Sequence, residues 1–134
     1  MSLQTNKTVS PVRDRIAGIL MLIAALGALL AFISSIGTAA AAGLDTQQVE
    51  WWRVFGFLLF MVLFVFLALW PRRYPGLWEL IILDKAALTV VEFILAGHQA
   101  ANAFSAAVID AVLTVFILAA YLLSKGYTSW RRLP

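Results

Sequence analysis

Four ionisable residues stand inside stretches that are otherwise apolar: Asp84, Lys85, Glu92 and Asp110. Their types define a short list of chemistry. A carboxylate in a water-poor, low-dielectric setting can hold a cation or exchange a proton, and a lysine beside it can keep one carboxylate ionised. At 100° per residue, Lys85 and Glu92 fall near one helical stripe with Ile81, Leu88 and Gln99, and Asp84 is offset from Lys85 by about 100°. Asp110, Thr114 and Tyr121 share a face of the following apolar stretch, where Ala103 and Ala106 permit close approach. Counting 1.5 Å per residue from Gln99 sets Glu92 roughly 10 Å deep, Asp110 roughly 16 Å and Lys85 roughly 21 Å. Lys85 is therefore expected to pair with Asp110, with Asp84 and Glu92 as competing partners. One base faces three deep acids, so the acids left over must be protonated, hydrated or neutralised by a bound cation. The competing reading is an inert network that fixes the register of two helices.

His98, Gln99 and Asn102 cluster beyond Glu92 and form the expected outer mouth of such a site, with His98 placed to relay protons or sense pH. With no cysteine and a single histidine in the chain, no metal site is expected. Ser34, Ser35, Thr89, Ser105 and Thr114 are expected to bond to their own helix backbone rather than act as nucleophiles. No glycine-rich phosphate loop is present, and no cofactor is called for. Glu79, in the first turn of its helix, is expected to favour the helix N-terminus and reach lipid headgroups.

These residues must be positioned by membrane helices. Of 134 residues, 63% are hydrophobic and 13% charged, a membrane composition rather than that of a soluble domain. Apolar runs at Ile16–Ala42, Val54–Trp70, Leu77–Gly97 and Ala101–Ser124 each suit the roughly 20 residues a spanning helix needs. They do not alternate as barrel strands would. The expectation is an all-α, up-down-up-down bundle of four transmembrane helices in a single integral membrane domain, residues 1–134. Its helices are placed at about 14–40, 47–70, 76–97 and 101–124, after a flexible cytoplasmic tail over 1–12. The tight Pro71–Gly76 turn makes the second and third helices expected antiparallel neighbours.

Charge sets the orientation. Lys7, Arg13, Arg15, Arg72, Arg73, Lys125, Arg131 and Arg132 flank one side, and Arg53 alone flanks the other, so both termini are expected in the cytoplasm. The net charge of +3 lies in these flanks, which suit anionic lipid headgroups better than nucleic acid. Asp45 followed by Gln48 reads as a capping box opening the second helix. A basic start, an apolar run and the Ala39–Ala42 tract also resemble a cleavable secretory signal. The run is longer than the roughly 7–15 residues of a signal core, however, and a retained helix is expected. Ala17, Ala24, Ala28, Ala31 and Ser35 give that helix a small-residue face for close packing. From Val54 to Trp70 no polar side chain occurs, a surface suited to lipid or to docking.

Arg53-Val54-Phe55-Gly56, the Pro71-Arg72-Arg73-Tyr74 turn and the acids of the third and fourth runs resemble the DoxX-like group of small four-helix bacterial membrane proteins. That resemblance implies a four-helix fold in a bacterial inner (plasma) membrane. It also implies kinship of layout with proteins tied to quinone-linked oxidation and with sterol-isomerase-like and sigma-2-receptor-like proteins that bind sterols or cationic amphiphiles between acids. Small multidrug transporters are less similar, because their essential acid lies in the first helix, and Ile16–Ala42 holds none. Three functions are in contention. The leading one is an intramembrane acidic site that binds a small apolar or cationic amphiphile, or is proton-linked. The others are a non-catalytic accessory subunit of a larger membrane complex, and a sterol-isomerase-like or quinone-linked enzyme with a carboxylate as proton donor. Membrane lipids are the expected partners, with a homodimer or larger complex as further assemblies and no nucleic acid.

Overall fold

The computed structural model describes residues 9–133, and all regular structure among them is helical. Four α-helices, α1 (Pro11–Ala41), α2 (Leu44–Leu69), α3 (Leu77–Gly97) and α4 (Ala103–Ser124), are followed by a 3-10 segment, Gly126–Arg132. Three of them, α1, α2 and α4, are long and apolar enough to cross a membrane. The 21-residue α3 has similar length but carries Glu79, Asp84, Lys85 and Glu92.

Local chemistry sets the ends. Pro11 opens α1, where a missing N–H costs nothing and φ is already helical. Residues 11 and 12, expected in the tail, are thus helical, and positions 1–8 lie outside the described residues. The capping box at Asp45 does not form: the cap lies two residues earlier and α2 starts at Leu44, after an extended Gly43 whose carbonyl accepts from the Thr46 and Gln47 N–H groups at 3.0 and 2.9 Å. Asp45 then lies in the first turn, where its charge still suits the helix dipole. Only Ala42 and Gly43 separate α1 from α2.

Gly76 precedes α3 with φ +84°, a left-handed conformation that costs a side-chain-bearing residue about 1–2 kcal/mol. The Trp130 ring lies 3.4 Å from where a Gly76 Cβ would stand. Gly76→Ala is expected to lower stability by about 1 kcal/mol. At Gly43, with φ −62° and open space around it, the same change should leave the thermal midpoint in detergent unmoved.

The packing order differs from the connection order. Extensive interfaces join α1 to α2, α3 to α4, and α1 to α4, whereas consecutive α2 and α3 make no comparable interface. The sheet-like order α2–α1–α4–α3 replaces the expected neighbouring of α2 and α3. Arg72 shows why. From the α2–α3 turn its guanidinium reaches across to both Asp14 carboxylate oxygens of α1, at 2.7 and 2.8 Å, and to the Ser124 carbonyl of α4 at 2.8 Å. The turn therefore passes over the ends of α1 and α4. Asp14 accepts two charge-assisted bonds from Arg72, which hold that guanidinium above its ordinary pKa.

The core gathers near this end. Ala17, Met21, Ala24 and Ala25 of α1 meet Phe64 and Leu67 of α2, Trp78 and Ile81 of α3, and Ile117 and Ala120 of α4. The alanine face of α1 thus packs within the chain; a Gly18 Cβ would stand 3.6 Å from the Ala68 carbonyl oxygen. Toward the opposite end Ala39, Val54, Ala103 and Ala107 are buried, but no residue of α3 beyond Lys85 is.

Candidate functional site

Lys85 closes the core on α3 and is 7% exposed. Its ammonium has three neighbours: Asp110 Oδ1 of α4 at 3.5 Å, Asp84 Oδ2 at 3.7 Å, and the Phe60 ring of α2 at 4.0 Å from the centroid. The aromatic face supplies the attraction a cation finds over a ring quadrupole. Phe60 also brings α2 to α3 at a level where their backbones stay apart. The Asp110 side chain is 14% exposed.

Two turns further along α3, Glu92 lies near the Asp110 carboxyl, close enough for the two charges to oppose each other. Its Oε2 is buried and has no hydrogen-bond partner among the described residues. Two neighbouring carboxylates repel each other unless one is protonated or a cation stands with them. The arrangement is therefore a row across α3 and α4: ammonium, carboxylate, then a second carboxyl with one oxygen to spare. Chemically it can hold one proton, or exchange that proton for a cation.

Not every expected member joins the row. The Asp84 side chain is 45% exposed and turns to the outside of α3 rather than to an interior; adjacent residues diverge by about 100°, so Asp84 and Lys85 cannot face the same way. Thr114 spends its hydroxyl on the Asp110 carbonyl at 2.7 Å, and Thr89 on the Lys85 carbonyl at 2.8 Å. Tyr121 lies at the other end of α4, where its hydroxyl donates to Glu79 Oε1 at 2.9 Å. His98, Gln99 and Asn102 are all exposed in the α3–α4 connection; Gln99 and Asn102 adopt left-handed φ of 57° and 61°. They form a turn past Glu92, and no metal-binding group of His, Asp and Glu occurs among the described residues.

A second polar centre was not expected. Glu79 accepts from Tyr121 and, again at 2.9 Å, from the Trp130 indole N–H. It is a clasp between α3, α4 and the 3-10 segment rather than a headgroup contact. Next to it, Trp78 donates to the Pro71 carbonyl at 2.6 Å and Gly126 sits against its indole. The signal available was an acid in a first helical turn with aromatic residues beyond the last apolar run. An open recess of about 350 Å³ lies at this end too, lined by Leu69, Trp70, Pro71, Arg72 and Arg73.

Set against family models, curated proteins and solved structures, the chain matches none.

Proposed function

We propose that this is a four-span membrane protein of a bacterial inner membrane, both termini cytoplasmic, in which Glu92 and Asp110 form an intramembrane exchange site for a proton and a small cationic amphiphile. One observation carries the reading: the buried, unpartnered Oε2 of Glu92 beside an Asp110 whose own countercharge is Lys85. Excess acid at membrane depth is a functional feature by default. Lys85 neutralises one carboxylate, and the proton or cation neutralises the other. The thin cover over the second half of α3 gives an amphiphile lateral access from lipid.

The four-span topology is supported by the length of α3 and by its pairing with α4 along its whole course, from Glu79–Tyr121 through Lys85–Asp110 to Phe93–Phe104. Orientation is supported by charge. Exposed Arg13, Arg15, Arg73 and Arg131 surround the end that holds the start of α1 and the end of α4, joined where Arg13 donates to the Leu122 carbonyl. The DoxX-like resemblance of the layout is consistent with this reading.

The test is binding of tetraphenylphosphonium, a lipophilic cation, to the full chain in lipid vesicles. Wild type is expected to bind it with proton release, and Glu92→Gln to weaken binding about tenfold or more, the loss of one charged contact. Thr114→Val should bind as wild type does. A wild type that binds no cation and releases no proton, or binding at wild-type strength by both Glu92→Gln and Asp110→Asn, refutes the assignment.

A further inference from the structure

Of the four helices, α3 has the most charge and little cover. It packs on α4 and makes no comparable interface with α1 or α2. On its uncovered side Leu80, Asp84, Ala87, Val91 and Ile94 recur at alternating steps of four and three, the spacing of a seam against another helix, and all five are exposed. Leucine, valine and isoleucine are at home there against lipid. Asp84 is not. Its nearest cation, Lys85, is 3.7 Å away, an ion pair without a hydrogen bond, and is shared with Asp110 at 3.5 Å. Ala87, one turn on, removes bulk where a neighbouring backbone would come closest.

We propose that this face of α3 is a docking seam for a membrane helix of another protein bearing a lysine or arginine at mid-depth, which pairs with Asp84 while its backbone packs over Ala87. Charge complementarity selects this occupant over a second copy. About a two-fold axis the seam would set Asp84 against Asp84, and Lys85 is already turned to Asp110 and the Phe60 ring. The proposal rests on α3 crossing the bilayer, as proposed above, and not on the chemistry of Glu92.

The experiment places the full chain in phosphatidylcholine vesicles with labelled polyleucine helices of about 20 residues, one with a central lysine and one without, and reads association by energy transfer. The lysine helix is expected to associate about tenfold more strongly, the fold-change of one good polar contact between membrane helices. Asp84→Asn and, separately, Ala87→Phe should each abolish that preference, and Glu92→Gln should keep it. Equal association of both helices, or a preference surviving Asp84→Asn, overturns the proposal. So does self-association of the chain that Asp84→Asn abolishes in the absence of any peptide preference, which assigns the face to a second copy. Because the chain has no cysteine, Asp84→Cys reports separately on the bilayer. Labelling by a water-soluble maleimide in intact vesicles overturns the membrane placement of α3, and the docking seam with it. A protected thiol combined with no peptide preference overturns the docking alone.

Discussion

Replacing Lys85 with methionine is expected to destabilise the protein in detergent by about 3–5 kcal/mol, the cost of stranding a buried charge whose partner is removed. Lys85 is the only cation within reach of Asp84 and Asp110 among the described residues, and Glu92 lies against Asp110. Its loss leaves the buried Asp110 without a countercharge, takes the nearest cation from Asp84, and removes the contact over the Phe60 ring. Asp110→Leu should cost distinctly less. There Lys85 keeps Asp84 at 3.7 Å and Phe60 at 4.0 Å, and Glu92 loses its acidic neighbour. The double variant should recover much of the Lys85→Met loss, because the two residues share one interaction and their effects cannot add. Denaturant unfolding of the four proteins measures the cycle. A Lys85→Met protein as stable as wild type would show the ammonium to be hydrated, and the order Asp110→Leu worse than Lys85→Met would show the acid, not the base, to be the stranded group.

Much of this geometry is legible in the sequence because it depends on two regular quantities. The rise of a helix placed Lys85 and Asp110 within a side chain's length of one another, and the hairpin at Gly97–Ala101 fixed the origin of the count. Where structure and expectation differ, those quantities are silent. Tyr121 and Asp110 share a face, yet eleven residues of helix separate them by roughly 16 Å, so a common face did not mean a common site. Asp84 fell on the same half of α3 as Glu92, but which half a neighbour covers depends on helix order. That order is not written in α2, since a helix apolar on every side has no stripe to read, and the small-residue face of α1 says that a neighbour packs there without saying which. It is visible in the structure at Arg72, whose reach to Asp14 and Ser124 ties the α2–α3 turn over two other helix ends. The Glu79 clasp escaped for a related reason: its donors, Tyr121 and Trp130, are 42 and 51 residues away, and the segment after Ser124 offers only a charge count and two aromatic residues.

That clasp leads to the second large effect, at Trp78. The side chain is fully buried, donates to the Pro71 carbonyl at 2.6 Å, and lies against Tyr121 with ring centroids 5.8 Å apart. Trp78→Ala is expected to cost about 3–5 kcal/mol, the range for deleting a buried aromatic side chain. Part of that is volume and part is the orphaned carbonyl, and Trp78→Phe separates them: it keeps a ring but no donor, and should cost about 1–3 kcal/mol. Gly126 supplies the independent check. A Cβ there would overlap the Trp78 indole and stand 2.9 Å from Tyr121 Cδ2, so Gly126→Ala should cost about 1–3 kcal/mol through overpacking. In the Trp78→Ala background the overlap with the indole is gone, and the added alanine should be tolerated at a fraction of that cost. Thermal unfolding of the two single variants and the double variant decides it. Additive losses would mean that Gly126 is required by its own backbone rather than by the tryptophan it faces, and that the 3-10 segment is held by the Glu79–Trp130 bond alone.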